Sequence, residues 1–382
     1  MQKLDENYNI IEPTVHPRNE YNLNELFFGQ VLEGVYALDK FAKAEAQNGS
    51  IYAKVMISDS YGKINGNIFD FDRVNADGHL NNIHEGDFVK LRAKITEYRD
   101  KLQLSEIDMV KLDMPGLDEL SQPLMLQLAG QPPFSYNAFV TRLSQFLDMM
   151  EDGKIKNIVK YIYDDWCEDM WHSPAAVSMH HDMTGGLALH TVTMAESAVA
   201  LYKIYRPLYP NLNLTLLLGG VLLHDVGKVM ELSGPVATHY TGIGVLEGHI
   251  TLAVHEVNIA ALDLGYKADL DEEVQLLTHM ILAHHLKGEW GSPVSPAFIE
   301  AQLLHNIDKI DADVQEYKKT ELELEVGQSG NGRWHGIEGR VYRPSIHPEW
   351  TDAVKMQQSG PIDILHDDPY YNIIKPGLTV QQ

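Results

Sequence analysis

A chain of 382 residues exceeds what one hydrophobic core usually serves, so its length predicts two domains. The single cysteine, Cys167, excludes an intrachain disulfide and favours a reducing, cytoplasmic environment. The net charge of -24 argues against a surface that attracts nucleic acid everywhere, so a polyanion must bind a local basic strip or bound metal ions. No long apolar run and no signal peptide are evident, so we expect no membrane partner.

Residues 24–112, which follow a polar arm at 1–23, carry the pattern of a small β-barrel. Five strand-like segments are separated by turn signals such as Tyr61-Gly62-Lys63 and Arg99-Asp100. The fourth segment alternates apolar residues from Val89 to Ile95 with polar ones. This spacing predicts a closed barrel of five strands. The phrase GDFVKLRAKITEYRDKLQL gives the segment a resemblance to the OB-fold of nucleic-acid-binding proteins.

Cations and aromatic residues of this segment suggest a surface for single-stranded nucleic acid. Residues 22–111 contain 11 Lys/Arg and 14 Asp/Glu, so they carry little of the negative charge. The cations at the last hairpin are Lys90, Arg92, Lys94, Arg99 and Lys101. The aromatic residues that can stack on bases are Phe28, Tyr52, Phe69 and Phe71. The alternative is that the aromatic residues form the barrel core and the cations are ordinary solvated side chains.

The rest of the chain is predicted to be helical after a linker. Residues 113–133 contain several prolines and glycines and are interpreted as the linker. Residues 134–320 show helical periodicity and are predicted to form an all-α domain, followed by a polar tail at 321–382. The expected fold is therefore a multidomain one, a five-stranded barrel followed by a helical domain.

Five histidines and two aspartates are placed on apolar faces of the predicted helices. They are His190, His224, Asp225, His249, His284, His285 and Asp308. One such histidine is more often a core residue than a ligand, and a lone buried carboxylate costs several kcal/mol unless a cation or donor meets it. The joint order of H, HD, H, HH and D therefore predicts a shared metal centre. The remaining helical-region histidines fit the pattern less well, although His181 is the best of them.

Seven ligands are too many for one hydrolytic ion with open positions, and they suit two divalent ions. The hypothesis assigns His190, His224, Asp225 and Asp308 to one ion. It assigns Asp225, His249, His284 and His285 to the other, so that Asp225 bridges. Imidazole and carboxylate ligands suit manganese, iron, cobalt, nickel or zinc. A hydroxide that bridges two such ions can attack a phosphodiester in line.

Two further residues are interpreted as parts of the active site. Lys228 lies about one helical turn beyond His224 and would neutralise charge that develops on the phosphate. Its alternative role is that of a cation at the end of a helix. Trp290 follows the histidine pair and would stack on a terminal base, or else pack as part of a lid.

The motifs resemble a known family. GGLALHT, LLHDVGK, GHI, LAHH and HNIDKIDA, within residues 180–313, resemble the HD-domain metal-dependent phosphohydrolases. Together with the OB-fold segment, LHDVGKVMELSG and RWHGIEGRVYRP make residues 24–344 similar to the YhaM family of 3′→5′ exoribonucleases. The resemblance implies release of nucleoside monophosphates from the 3′ end of single strands, typically with manganese.

Three functions remain open at this point. The first is a 3′→5′ exoribonuclease that also acts on single-stranded DNA. The second is an HD-type phosphohydrolase of small nucleotides or cyclic dinucleotides. The third is a non-catalytic nucleic-acid-binding regulator, which a complete set of hydrolytic ligands disfavours. A homo-oligomer is expected because symmetric assembly is common.

Overall fold

A computed structural model describes most of the chain: residues 19–99, 101–112, 122–130, 132, 134–177, 183–234, 238–322, 324–331 and 339–346. His181, much of the predicted arm and most of the predicted tail lie outside these residues. The chain divides into two compact units. The first comprises 1–130 with 236–239, and the second 131–235 with 240–382.

The first unit is built on a closed barrel, as the sequence predicts. Its strands are β1 (Val31–Glu45), β2 (Ile51–Asp59), β3 (Gly62–Ile68), β4 (Phe88–Tyr98) and β5 (Lys101–Lys111). The order around the barrel is β1-β2-β3-β5-β4, with β4 paired to β1. The seam between β3 and β5 is parallel, and the other pairs are antiparallel.

Strict alternation along β4 produces one buried and one solvated face. Val89, Leu91 and Ala93 are buried, whereas the residues between them are exposed. The β3–β5 seam has room for a glycine but not for a larger residue at position 66, because a Cβ on Gly66 would lie 2.7 Å from the carbonyl oxygen of Leu104. The alternation that the sequence shows on β4 is therefore confirmed, and the glycine at the seam is a feature that only the structure reveals.

Phe71 contradicts its expected role in base stacking. It begins the short helix α1 (Phe71–Val74) and is 1% exposed. Its ring packs against Phe41, with the ring centroids 6.2 Å apart. The chain turns at Asp70, which has a φ of 53°, and α1 carries the phenylalanine into the barrel core.

The described end of the predicted arm is bound to the barrel. The Asn19 side-chain amide donates to the Val35 carbonyl at 2.7 Å, and its oxygen accepts from the Val35 amide at 2.8 Å. A short 3-10 helix, Leu23–Glu25, follows and contributes Leu23 to the core.

The predicted linker 113–133 contains a helix, which is a correction to the sequence interpretation. Helix α2 (Gln122–Ala129) belongs to the first unit, and Leu124 and Leu128 are buried in its core. Gln127 is also buried and accepts a hydrogen bond from the Asn19 amide at 2.9 Å. Two leucines four residues apart thus pack on the barrel despite the surrounding prolines.

The second unit is helical and ends in a short hairpin. Its helices are α3 (Tyr136–Met149), α4 (Lys154–His172), α5 (Gly186–Tyr205), α6 (Leu214–Leu223), α7 (Lys228–Glu231), α8 (Gly242–Asp263), α9 (Glu272–Ala283) and α10 (Ile299–Leu322). The hairpin pairs β6 (Ser329–Asn331) with β7 (Arg340–Tyr342). Within the described part of the chain, we find no helix both long and apolar enough to span a bilayer.

Helix α6 lies at the centre of this unit. Nine of its ten residues are buried, and its amino end is capped by Asn213, whose side chain accepts from the Leu216 amide at 3.0 Å. Helix α9 packs closely on α6 at Gly220. A Cβ on Gly220 would lie 2.3 Å from the methyl carbon of Met280, so the close packing depends on the glycine. The helix therefore delivers the residues that follow it, His224 and Asp225, to the interior of the unit.

Candidate metal centre

Five helices bring the seven predicted ligands together. The ligands come from α5 (His190), the end of α6 (His224 and Asp225), α8 (His249), the end of α9 (His284 and His285) and α10 (Asp308). Their ligand atoms form two groups, each with atoms within 4.8 Å of one another. One group is His190, His224 and Asp308, and the other is His249, His284 and His285.

Asp225 lies between the two groups and is 2% exposed. Its Oδ2 lies 3.3 Å from His224 Nε2 and 3.5 Å from His190 Nε2. Its Oδ1 lies 3.5 Å from His249 Nε2 and 3.8 Å from His284 Nε2. One carboxylate oxygen therefore faces each group of histidines, which is the arrangement required of a bridging ligand.

A kink sets the position of His249. Gly248, immediately before it, has φ 72° and ψ 156° inside α8, a backbone conformation that favours glycine. The kink frees the backbone N–H of His249, which donates to Glu231 Oε1 at 3.0 Å. The glycine in the GHI motif thus redirects the chain just before the ligand.

Three of the ligand histidines bind backbone carbonyls through Nδ1. The Nδ1 partners are the carbonyl oxygens of Val221 for His224 (2.8 Å), Ile281 for His284 (2.7 Å) and Trp290 for His285 (2.6 Å). A carbonyl can only accept, so Nδ1 must carry the hydrogen in each of the three. The lone pair is then on Nε2, where a metal ion would bind.

The other two histidines bind carboxylates through Nδ1. His190 Nδ1 lies 2.7 Å from Asp311 Oδ2, and His249 Nδ1 lies 3.1 Å from Glu231 Oε1. All five rings thus use Nδ1 for an acceptor of the protein. This uniform orientation is typical of metal-binding histidines, which usually donate their second ring nitrogen to a fixed acceptor.

Several polar atoms at the centre have no hydrogen-bond partner among the described residues. They are Asp225 Oδ1, His249 Nε2 and His284 Nε2, and all three are buried. His224 Nε2 and His190 Nε2 also face each other at 3.4 Å. Buried polar atoms are rarely left unsatisfied, and a cation at each group would satisfy them. The residues present therefore fit divalent metal ions with nitrogen and oxygen ligands.

The two aspartates are ionised and negative. Burial by itself raises the pKa of Asp225, but the electrostatic interactions of its carboxylate with His224 and Lys228 outweigh burial and hold the pKa well below its usual value. Burial likewise opposes ionisation of Asp308, and the hydrogen bond from His190 overcomes it and lowers the pKa. Both carboxylates are therefore charged at neutral pH, as candidate metal ligands should be.

The histidine pair is neutral at physiological pH. Burial lowers the pKa of His284 well below its usual value, and the nearby His285 lowers it further. Burial also lowers the pKa of His285. Neutral imidazoles need lose no proton before they bind a metal ion.

Lys228 begins α7 and is directed into the centre. Its ammonium donates to Asp225 Oδ2 at 2.6 Å, and the residue is 9% exposed. Burial lowers the pKa of Lys228, but the charge of Asp225 more than compensates and raises it above the usual value. The lysine is therefore a permanent buried cation beside the predicted bridging ligand.

Trp290 lies on a loop held by His285. The loop carbonyl of Trp290 accepts from His285, and Ser292 Oγ accepts from the His285 amide at 2.9 Å. The indole is 49% exposed, with the Lys287 ammonium 4.8 Å from its ring centroid. Leu286 has a φ of 69°, an uncommon conformation for a residue with a side chain. The structure thus places Trp290 next to a candidate ligand, with one part of the ring open to solvent.

The predicted cations of the barrel are exposed, and some have acidic neighbours. Lys90, Arg92 and Lys94 line the outer face of β4. Arg92 Nε lies 3.9 Å from Glu33, and Lys94 Nζ lies 3.7 Å from Glu106. Acids therefore reduce the positive potential along this face.

Two further predicted cations flank the turn between β4 and β5. Both Arg99 and Lys101 are exposed. Arg99 has a φ of 52° and its guanidinium carbon lies 5.1 Å from the ring centroid of Tyr98.

Exposed aromatic rings mark a different part of the barrel surface. Tyr52 on β2 and Phe69 just after β3 are stacked, with centroids 6.3 Å apart and planes 29° apart. Phe69 is 69% exposed and Phe28 is 65% exposed. Phe27, which the sequence reasoning did not select, is 57% exposed. Of the four predicted stacking residues, Phe28 and Phe69 are therefore open to a ligand, Tyr52 is half-buried beside Phe69, and Phe71 is buried.

The sequence reasoning missed three residues that shape the centre. Asp311 and Glu231 bind ligand histidines, and Gly227 permits the close approach of α8. A Cβ on Gly227 would lie 2.1 Å from the carbonyl oxygen of His249. The available signal was spacing: Asp311 follows Asp308 by three residues on α10, and Glu231 follows Lys228 by three.

Comparison with known proteins agrees with this geometry. The HD domain family matches residues 187–313, which include all seven candidate ligands. The 3′-5′ exoribonuclease YhaM of Halalkalibacterium halodurans is 32% identical over 320 residues, covering 84% of this chain and 95% of the relative. Proteins of the same name from Geobacillus sp. and Listeria welshimeri are 35% and 33% identical, covering 85% and 86% of this chain and 94% and 99% of the relatives. The chain therefore belongs to the family of the 3′-5′ exoribonuclease YhaM.

Proposed function

We propose that this protein is a metal-dependent 3′-5′ exoribonuclease that releases nucleoside monophosphates from single-stranded RNA and also accepts single-stranded DNA. The names of its relatives support the reaction class. The observation that carries the proposal is Asp225, whose two oxygens each face a separate group of histidines. Such a centre suits the hydrolysis of a phosphodiester bond.

The centre is proposed to hold two divalent ions, with Mn²⁺ as the physiological metal. His190, His224 and Asp308 would hold one ion, and the other three histidines the second, with Asp225 shared. Cobalt, iron, nickel and zinc also suit these ligands. When bound, the ions acidify a water molecule and withdraw charge from the phosphoryl oxygens.

Lys228 is proposed to stabilise the negative charge that develops on the phosphate. Its buried ammonium lies on the bridging aspartate and has no solvent to screen it. In Lys228→Gln we expect kcat to fall about 100-fold while Mn²⁺ affinity changes little. If Mn²⁺ binding is lost and kcat at saturating metal is normal, the lysine serves only to hold Asp225.

The strand is proposed to contact both the barrel and the loop beside His285. Exposed Phe28 and Phe69 and half-buried Tyr52 would stack on bases, and Trp290 on the terminal base. The phosphates would lie against the cations Lys90, Arg92, Lys94, Arg99 and Lys101. Mononucleotides need no such row of rings, so the barrel surface favours a polynucleotide over the small-nucleotide alternative.

We further propose that the protein acts in the cytoplasm as a homo-oligomer. The single Cys167 suits a reducing compartment. Symmetric assembly is the common state of such enzymes. Sedimentation of the purified chain at several concentrations tests the assembly, and a monomer at all of them would contradict it.

The direct test uses single-stranded RNA labelled at its 5′ end. Purified protein with Mn²⁺ should shorten the RNA one nucleotide at a time, and a blocked 3′ end should stop it. Hydrolysis of cyclic dinucleotides or mononucleotides with the RNA left intact would contradict the proposal and favour the small-nucleotide reaction. Binding of RNA with no hydrolysis of any of these substrates would instead indicate a regulator.

A further inference from the structure

Two carboxylates outside the ligand set contact the centre, one at each group of histidines. Asp311 binds His190 of the first group, and Glu231 binds His249 of the second. The remaining three histidines bind backbone carbonyls, which are neutral. Each group therefore contains one histidine whose Nδ1 faces an acidic side chain.

Asp311 is itself fixed by a second hydrogen bond. Its Oδ2 lies 2.7 Å from His190 Nδ1, and its Oδ1 accepts from Thr193 Oγ1 at 2.6 Å. Thr193 lies three residues after His190 on α5, and Asp311 lies three residues after Asp308 on α10. The same two helices thus supply ligands and the side chains that hold one of those ligands.

Glu231 holds His249 through two hydrogen bonds. Its Oε1 accepts from the His249 backbone amide at 3.0 Å and lies 3.1 Å from His249 Nδ1. The backbone of Glu231 packs closely on α8, since a Cβ on Gly244 would lie 2.3 Å from the Glu231 carbonyl oxygen.

We propose that Asp311 and Glu231 are positioning residues, each of which tightens the binding of one metal ion by orienting His190 or His249. A carboxylate on Nδ1 fixes the ring with Nε2 toward the ion and makes the imidazole a stronger donor. The inference rests on the proposed two-ion centre, but it concerns metal affinity and not the identity of the substrate. Neither residue touches the reacting atoms.

The test measures Mn²⁺ binding to the full-length chain by isothermal titration calorimetry. Asp311→Asn and Glu231→Gln should each weaken one of the two binding events about 10–100-fold and leave the other near its wild-type value. Activity on RNA should return as Mn²⁺ is raised, with KM for RNA unchanged. Matched controls are Asp313→Asn on α10, whose partner is Lys309, and Glu247→Gln on α8, whose partner is His255.

The outcomes separate this inference from the proposed function. Wild-type Mn²⁺ affinity in both variants overturns it, even if the wild type degrades RNA. If the variants bind Mn²⁺ more weakly but the wild type leaves RNA intact, the positioning role is supported and the proposed exoribonuclease activity is contradicted. A wild type that binds no Mn²⁺ overturns both. If Asp311→Asn fails to fold, Thr193→Val removes the hydroxyl that lies 2.6 Å from Asp311 Oδ1 and also near the Leu189 and His190 carbonyls, and unchanged Mn²⁺ affinity in that variant overturns the role of Asp311.

Discussion

At the scale of single residues, Asp225 has the greatest influence because it contacts both groups of histidines. We expect Asp225→Asn to lower turnover of RNA by about 1000-fold or more, since an amide offers one oxygen and no charge where two charged contacts are needed. The fold should persist, because the amide can still accept from Lys228. Circular dichroism and a 5′-label assay check both parts.

The matched control for this prediction is Asp269→Asn, an exposed aspartate of the same unit. It should retain wild-type turnover. Near-normal activity in Asp225→Asn would remove the bridging role. Loss of helical signal in that variant would show instead that the aspartate serves the fold.

Much of the site was accessible from sequence, because each ligand lies on a helical apolar face and is followed or preceded by a recognisable motif. The structure brings all seven side chains together. The spacing of Asp311 and Glu231 places them near the candidate ligands, but their contacts with His190 and His249 could not be predicted from it, since these depend on how α10 packs on α5 and α7 on α8. Phe71 was misjudged because an aromatic residue looks the same in a sequence whether it stacks on a base or fills a core.

At the scale of elements, the approach of α7 to α8 depends on one glycine. Gly227 has an ordinary φ of -61°, so the requirement is space and not backbone freedom. In Gly227→Ala the new methyl group would collide with the His249 carbonyl, and Ala253 N lies 2.8 Å away. Helix α8 must shift, and we expect a loss of about 1–3 kcal/mol in the free energy of unfolding.

The same substitution should weaken metal binding, because α8 carries His249. Gly242→Ala is the control, since Gly242 lies on α8 as well and a Cβ there would meet nothing within 4 Å. Urea unfolding and Mn²⁺ titration measure the two effects. Equal stability of the two variants would contradict the close contact between α7 and α8.

The barrel surface gives a second prediction at this scale. Stacking of a base on an aromatic ring contributes about 1–3 kcal/mol, so Phe69→Ala should weaken RNA binding by about 5-fold to 150-fold. Arg92→Gln should weaken it less than about 3-fold, because Glu33 already lies beside the guanidinium. Hydrolysis of a small chromogenic diester should be unchanged in both.

Fluorescence anisotropy with labelled single-stranded RNA at several salt concentrations measures these effects. A larger loss in Arg92→Gln than in Phe69→Ala would mean that the β4 cations, and not the exposed rings, form the main contact. A steep salt dependence of the wild type would point the same way, since each phosphate contact releases counterions.

At the scale of the whole molecule, the sequence predicted a barrel followed by helices because the period changes from two to 3.6 residues about a third of the way along the chain. The structure of the segment between the barrel and the helices was harder to predict. Helix α2 contains Pro123 and lies between Pro115 and the pair Pro132 and Pro133, so local propensity favours a linker. Leu124 and Leu128 reverse that preference by burial in the barrel core, which no local pattern reveals.

The separate hydrophobic cores of the two units lead to the last prediction. The candidate ligands come from five helices of the second unit and from no barrel strand, so a metal ion should stabilise only that unit. Mn²⁺ at about 1000 times its dissociation constant adds about 4 kcal/mol to the free energy of unfolding. Scanning calorimetry should therefore show one transition that falls by several degrees when a chelator is added and a second that does not move. Asp225→Asn should abolish most of the metal-dependent shift. A chelator that lowers both transitions equally, or neither, would contradict a centre built solely from the helical unit.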